Sequence, residues 1–300
     1  MSNKITMCPI CTSSKSWLIK YKKDGINIQE DKFKNYSWKL CKQCGNAYPI
    51  PAPELSDLQK YWDQNRIETS IGEITQEIWN KRQSQDQIWA ERTFKFVQPF
   101  VSNKKKEYLD IACGLGANVK LFSEKGWRAV GIDADPNTKK FHDLLGIQST
   151  IGQIEQIEVK KLYDLISISH AIYFITEPRK FIQEVKNKLA DKGLFLVVLS
   201  DFFSNFSDGQ PGFAHTWYPT SFSMEYALEQ EGFLIISRKK IRGSVLILAR
   251  KDNGKAFSNI RTNPSLSYFL HLTQSVRYKL IGRPILWAVR NIKYIVKAIS

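Results

Sequence analysis

The sequence predicts an α/β fold, a mainly parallel sheet with helices on both faces, finished by an antiparallel hairpin. Three observations carry that expectation. Short apolar runs alternate with helical stretches from Glu107 to Lys251, the last two runs are joined by a very short turn, and the first run enters a glycine turn that opens a helix. Alternation of this kind selects helices packed on a parallel sheet.

The strand candidates are "EYLDIA", "WRAVGID", "IQSTI", "YDLISISH" and "GLFLVVLSD". Between them "NVKLFSEKG", "PNTKKFHDLLG" and "PRKFIQEVKNKLADKG" read as helices. The last two open with proline and all three close at glycine, the ends those residues favour. "FLIISRKKI" and "SVLILARK" are separated only by Arg242 and Gly243, which is too short for a crossover, so this pair is an antiparallel hairpin.

Ahead of the sheet, "EITQEIWNKRQSQDQIWAERTFKFV" places Ile74, Ile78, Ile88, Trp89, Phe96 and Val97 near helical spacing, as in an amphipathic helix packed on the next domain. The prolines of "PIPAP", Pro49 to Pro53, close a cysteine-bearing unit before it. The chain thus divides into residues 1–50, a helical linker or cap at 51–100, the α/β domain at 101–252 and a tail at 253–300.

A content of 43% apolar and 24% charged residues over 300 positions suits a folded protein rather than a disordered chain. No run of about eighteen uncharged apolar residues occurs. The start "MSNKITMCPIC" lacks the apolar core of a secretory signal, so the expected location is cytoplasmic. The formal charge of +15 favours phosphate, anionic lipid or acidic substrates.

Four of the five cysteines form two pairs, Cys8 and Cys11 in "CPIC" and Cys41 and Cys44 in "CKQC", with 29 residues between the pairs. Two residues between ligands let both sulfurs face one ion, so the pattern reads as a structural Zn²⁺ ribbon, with a redox dithiol or unlinked cysteines as the alternatives. Lys15, Lys39 and Lys42 lie near enough in sequence to offset the charge of four thiolates, and Gly45 eases a tight knuckle.

In "KEYLDIACGLGANVKLF", Tyr108 to Ala112 make the strand while Gly114 and Gly116 make a turn that a ligand can approach closely. Asp133, nineteen residues after Gly114, ends the second strand, where an acid can accept hydrogen bonds from a ribose diol. A dinucleotide motif places glycine or alanine at its sixth position, and here that position is Val119.

At these residues the chain resembles the class I S-adenosylmethionine-dependent methyltransferases, whose first motif is D-x-G/A-C-G-x-G with an acid ending the second strand. Asp110, Ala112, Cys113, Gly114, Gly116 and Asp133 match it, and the likeness runs from Glu107 to Lys251. The resemblance implies a Rossmann-like seven-stranded sheet with its last strand antiparallel; the zinc ribbon ahead of it and the basic helical tail after it are read from the cysteine spacing and the composition. The resemblance further implies that Gly114, Gly116 and Asp110 hold the methionine part of S-adenosylmethionine and Asp133 its ribose. Ala134 then borders the adenine, Gln153 and Ile154 approach its amino edge, and Ser169 and His170 lie beneath the sulfonium. A subgroup with a similar cysteine module is associated with polysaccharide, sugar and other small-molecule biosynthesis.

A hydroxyl acceptor calls for a base, and His170 at the end of the fourth strand and His215 in "GQPGFAHTWYP" are the candidates near the mouth of the sheet. The family often has H-x-L-E-H where this chain has "HAIYFI", with Tyr173 and Phe174 replacing the acid and second histidine. The stretch "SDFFSNFSDGQPGFAHTWYP" has the composition of a substrate-covering loop.

The segment from Asn253 to Ser300 holds eight Lys or Arg and no Asp or Glu. It reads as basic amphipathic helices, with residues 262–300 suited to peripheral contact with the inner membrane surface or with protein, ahead of nucleic acid. The leading expectation is methyl transfer to a hydroxyl or similar group of a sugar, glycan precursor or other small molecule. Two readings stand beside it: an RNA methyltransferase gripping phosphate with ribbon and tail, and a non-catalytic adaptor that keeps the fold.

Overall fold

The computed structural model describes residues 7–19, 37–64, 76–101, 106–157, 162–200, 202, 214–241 and 243–252. The basic tail, and with it the expected membrane contact, lies outside the described residues, as does most of the expected covering loop.

The cysteine unit is a three-stranded antiparallel sheet of β1 (Ser16–Ile19), β2 (Ser37–Cys41) and β3 (Ala47–Ile50). Helices α1 (Leu55–Gln64) and α2 (Gln76–Val97) follow. The α/β region then runs β4 (Glu107–Ile111), α3 (Ala117–Glu124), β5 (Arg128–Asp133), α4 (Lys139–Leu145), β6 (Ser149–Ile151), β7 (Tyr163–Ser169), α5 (Pro178–Lys188) and β8 (Leu189–Ser200). It closes with α6 (Ser221–Gln230), β9 (Phe233–Ile241) and β10 (Ser244–Lys251).

Seven strands form one sheet in the order β6-β5-β4-β7-β8-β10-β9. From β6 to β8 neighbours are parallel, and β10 is antiparallel to both β8 and β9. The expected seven-stranded sheet with an antiparallel hairpin is therefore present. Strand order reverses between β4 and β7, and such a reversal opens a crevice at the carboxyl ends of the strands.

Alternating side chains fill the two faces. On one, Ile166, Ile168, Phe195, Val197 and Ile247 pack with residues of α5 and α6, including Phe181, Val185 and Leu228. On the other, Tyr108, Leu165, Leu196, Val198 and Leu246 pack with Val119 and Phe122 of α3 and with Phe96 and Val97 of α2. The outer edges differ: β6 has only three residues, while β9 exposes Arg238, Lys239 and Lys240.

Two expectations are corrected. The third helix of the α/β region ends at Lys188, not at Gly193, because buried Leu189 already pairs with Tyr163 and starts β8. The register shifts between Tyr163 and Leu165, and a side chain on Gly193 would come within 2.8 Å of Ala190 O, so this glycine serves an irregular strand rather than a helix end. In α2, Ile88 is exposed, and the buried side consists of Ala90, Thr93, Phe96 and Val97. Ile74 and the side chain of Ile78 lie outside the described residues. Among those residues no helix is long and apolar enough to cross a membrane.

Ile247 is fully buried on β10 between β8 and β9, whereas Leu144 is 76% exposed. Ile247→Ala should lower the unfolding free energy by about 2–5 kcal/mol in urea titrations. Leu144→Ala should stay within about 0.5 kcal/mol of the parent.

Candidate functional site

The glycine turn leaves β4 with Ala112, Gly114 and Gly116 at φ of 53°, 55° and 85°. Two glycines make the left-handed stretch inexpensive, whereas Ala112 adopts it against its Cβ. A methyl group added to Gly114 would touch nothing within 4 Å, so the outer side of the turn is open to a ligand. On Gly116 the same group would fall 2.1 Å from Ile147 Cδ1.

Main-chain groups of Gly114 are held from two elements. Its N–H donates to Asp133 Oδ2 at 2.8 Å, and its carbonyl lies 2.7 Å from Nε2 of His142, a fully buried side chain of α4. Asp135 N–H donates to the other Asp133 oxygen at 2.9 Å. Burial holds the Asp133 carboxyl above its ordinary pKa, against the pull of those two N–H donors. Asp133 is half-buried and keeps accepting capacity on both oxygens towards the crevice. Ala134 is exposed beside it.

Asp110, by contrast, is turned into the sheet. Ser167 donates to its Oδ1 at 2.5 Å, Asn118 Nδ2 donates to its Oδ2 at 3.2 Å, and Tyr108 OH lies 2.6 Å from Ser167 Oγ. Only 2% of Asp110 is exposed, and burial raises its pKa to about 6 in spite of the donors from Ser167, Asn118 and Tyr108. Its carboxylate ties β4, α3 and β7 together behind the turn. Cys113 is buried next to it, its thiol pushed up by that burial and by the charges of Asp110 and Asp133.

Across the reversal point, β7 ends at Ser169 and His170 follows with φ of 54°. Tyr173 OH and Ser200 Oγ lie 3.2 and 3.3 Å from His170 Nδ1, and Ser244 Oγ lies 3.4 Å from Nε2. Trp89 of α2 meets the ring edge-on at 5.8 Å. His170 keeps one exposed edge, yet crowding on its other sides holds its pKa below the ordinary value. Tyr173 also accepts the Ser200 N–H at 3.2 Å. The ring of His215 lies 5.3, 5.0 and 5.2 Å from those of Tyr173, Phe174 and Tyr218. Tyr173 therefore touches both histidines.

A methyltransferase-domain family model matches residues 81–238, more than half of the chain, spanning the turn, Asp133 and His170. The chain belongs to the methyltransferase-domain family. As such it is an S-adenosylmethionine-dependent enzyme. A similar solved structure is the 1,6-didemethyltoxoflavin-N1-methyltransferase of Burkholderia thailandensis, bound to 1,6-didemethyltoxoflavin and S-adenosylhomocysteine. It is 14% identical, with a TM-score of 0.50 over 69% of this chain and 96% of that one. An S-adenosylmethionine-dependent methyltransferase of Mesorhizobium loti is 14% identical, with a TM-score of 0.46 over 54% of this chain and 98% of that one. The glycopeptide N-methyltransferase MtfA in complex with S-adenosyl-L-methionine is 16% identical, with a TM-score of 0.43 over 56% of this chain and 93% of that one. No curated protein matches the chain.

The methyltransferase carries its four paired cysteines as one cluster, with all sulfurs within 4.8 Å of one another. Close contacts run between the motifs, Cys8 to Cys44 at 3.6 Å and Cys11 to Cys41 at 3.4 Å, as in one shared site rather than two separate dithiols. Four sulfurs around a tetrahedral ion at about 2.3 Å would stand about 3.8 Å apart, so the geometry fits one zinc-sized metal ion. Asn46 Nδ2 points at Cys8 Sγ at 4.0 Å, and Gln43 N–H donates to Cys41 Sγ at 3.4 Å, contacts that favour thiolate.

The fold of the methyltransferase thus gathers Asp110, Ala112, Cys113, Gly114, Gly116 and Asp133 at one turn, and Ser169 and His170 at the next strand end. Gln153 is exposed at the start of a short 3₁₀ turn after β6, its N–H taken by Gln156, whereas the Ile154 side chain is buried in the core. His142, Tyr173 and Trp89 are contacts that sequence reasoning did not single out as parts of the site. Only the "HAIYFI" departure pointed towards Tyr173.

Two outcomes follow from this geometry. His142→Gln, which keeps a donor, should retain S-adenosylhomocysteine affinity within about threefold, while His142→Leu should weaken it about tenfold as the Gly114 carbonyl loses its partner; isothermal titration calorimetry reads both. Because the folded pKa of Asp110 lies above its ordinary 3.8, its contribution to stability is fully present below about pH 4 and is lost as pH rises through about 6. Urea unfolding should therefore show Asp110→Asn gaining on the parent by on the order of 2–3 kcal/mol between pH 4 and pH 7.

Proposed function

We propose that the chain transfers the methyl group of S-adenosylmethionine to a hydroxyl or similar nucleophile on a sugar, glycan precursor or other small molecule, with Zn²⁺ in the cysteine cluster. The observation that carries the cofactor half of this reading is the Asp133 carboxylate, anchored by Gly114 N–H and Asp135 N–H beside an open glycine turn. Bound there, the cofactor supplies a methyl group already activated by a sulfonium charge.

In this reading the main chain of Gly114 to Gly116 faces the methionine end and Asp133 accepts the ribose hydroxyls. Asp110 acts from behind, since its oxygens already serve Ser167 and Asn118. Ala134 borders the adenine, with Gln153 near its amino edge and Ile154 supporting that segment from the core. Ser169 and His170 occupy the reacting end, across the strand reversal from the turn.

His170 is the base in this proposal. Its lowered pKa leaves it neutral at pH 7, and a neutral imidazole can take a hydroxyl proton. With Nδ1–H directed at Tyr173 OH or Ser200 Oγ, Nε2 is the basic nitrogen. His215, packed among three aromatic rings, then forms the acceptor wall with Phe174. Holding the acceptor in line and dry supplies much of the remaining acceleration.

The purified chain should bind S-adenosylhomocysteine at one site and give no calorimetric signal with NADH, and native mass spectrometry should find one zinc. Asp133→Ala should weaken that binding about 10- to 100-fold. Binding of NADH in place of S-adenosylhomocysteine would remove the proposal. Against an acceptor found by screening sugars and glycan precursors, His170→Gln should lower kcat about 100-fold or more and leave S-adenosylhomocysteine affinity unchanged.

A further inference from the structure

The cysteine sheet is hydrogen-bonded to the segment that leads into α6, through an isolated antiparallel bridge between Ala47 and Tyr218. Ala47, three residues after Cys44, exchanges two main-chain hydrogen bonds with Tyr218: Ala47 N–H donates to Tyr218 O at 3.1 Å and Tyr218 N–H to Ala47 O at 2.7 Å. Buried Cys8, Ile10, Cys41 and Ala47 share one apolar cluster with Tyr173, Trp217 and Tyr218. That core also takes in Leu109 and Ile111 of β4, so the specific link to the acceptor side is the Ala47–Tyr218 hydrogen-bond pair.

From Tyr218 the contacts continue inward. Its ring lies parallel to that of Tyr173, with centroids 4.8 Å apart and planes 17° apart. Thr216 N–H donates to Tyr173 O at 2.9 Å, which fixes the same two segments a second time. Tyr173 OH then reaches His170 Nδ1 at 3.2 Å. Both tyrosines are buried, at 4% and 5% exposure, so their rings serve each other rather than a ligand. The glycine turn is held by different groups, Asp133 of β5 and His142 of α4.

We infer that the cysteine ribbon is a positioning element for the acceptor side of the site: the metal-bound knuckle fixes Ala47, Ala47 fixes Tyr218, and Tyr218 with Tyr173 orients His170. The inference rests on the proposed reading of the His170 edge as the acceptor side. It assigns the ribbon a role beyond stapling its own fifty residues, and it divides the molecule into a cofactor half independent of the metal and an acceptor half dependent on it. Tyr173 and Tyr218 are positioning residues in this scheme, acting through His170.

The test compares the zinc-loaded full chain with the same protein stripped by a chelator under reducing conditions. S-adenosylhomocysteine binding to the loaded protein checks the underlying methyltransferase reading separately. On stripping, amide hydrogen exchange should speed up about tenfold or more over residues 214–220, while the amides of β4 and β5 stay protected. S-adenosylhomocysteine affinity should hold within about threefold. The imidazole signal of His170, assigned with His170→Gln, should shift in carbon–proton correlation spectra. Exchange that rises in the ribbon while 214–220 and the His170 signal stay unchanged would overturn the inference, as would loss of protection across the whole sheet. Tyr218→Ala, which leaves the cysteines and zinc in place, should move the same His170 signal and spare S-adenosylhomocysteine binding. An unmoved signal in that variant would also overturn it.

Discussion

Gly114 is gripped by both of its main-chain groups, and the site is organised around that grip. Gly114 has no side chain of its own to lock it, so beyond the Gly116 N–H to Cys113 O bond its conformation depends on partners from elsewhere in the fold. Asp133 comes from the end of β5 and His142 from the helix after it, and each fixes one polar group of the same residue. Asp110 secures the turn from beneath through Asn118 and Ser167. The parallel sheet brings these residues to one crevice, because β4, β5 and β7 all end there.

The carboxylates divide the labour by environment. Asp110, fully enclosed, is costly to ionise and serves to hold elements together, whereas Asp133, half-buried between two N–H donors, faces the crevice with lone pairs to spare. The histidines divide in the same way. His142 is a buried structural donor, and His170 sits at an open strand end where loss of solvation favours its neutral form. One residue type thus takes opposite roles in one fold, set by exposure and partners.

Much of the fold was legible because its signals are local. Short apolar runs, proline and glycine at helix ends, the two-residue separation at Arg242 and Gly243, and the CxxC pairs each lie within a short stretch of chain. Asp133 was legible because the spacing from Gly114 reflects one helix and one strand. What escaped depends on long-range packing. His142 lies in an ordinary-looking amphipathic helix, and only the fold brings it to Gly114, 28 residues away. The bond between Ala47 and Tyr218 joins segments 171 residues apart and leaves no trace in composition. The end of α5 was misplaced because Gly193 carries the helix-ending signature, while buried Leu189, four residues earlier, pairs with Tyr163 and imposes the strand first.

The two borders of the sheet carry a different lesson. An unpaired strand offers a row of donors and acceptors to any other chain, and both borders here blunt that offer. β6 is three residues long, too short to template much, and β9 exposes Arg238, Lys239 and Lys240. Arg238 is paired with Glu225, but a second copy approaching β9 would still bring the charges of Lys239 and Lys240 against their own kind. Growth of the sheet from molecule to molecule is thereby discouraged, and an open sheet that has not closed into a barrel stays finite in a crowded solution.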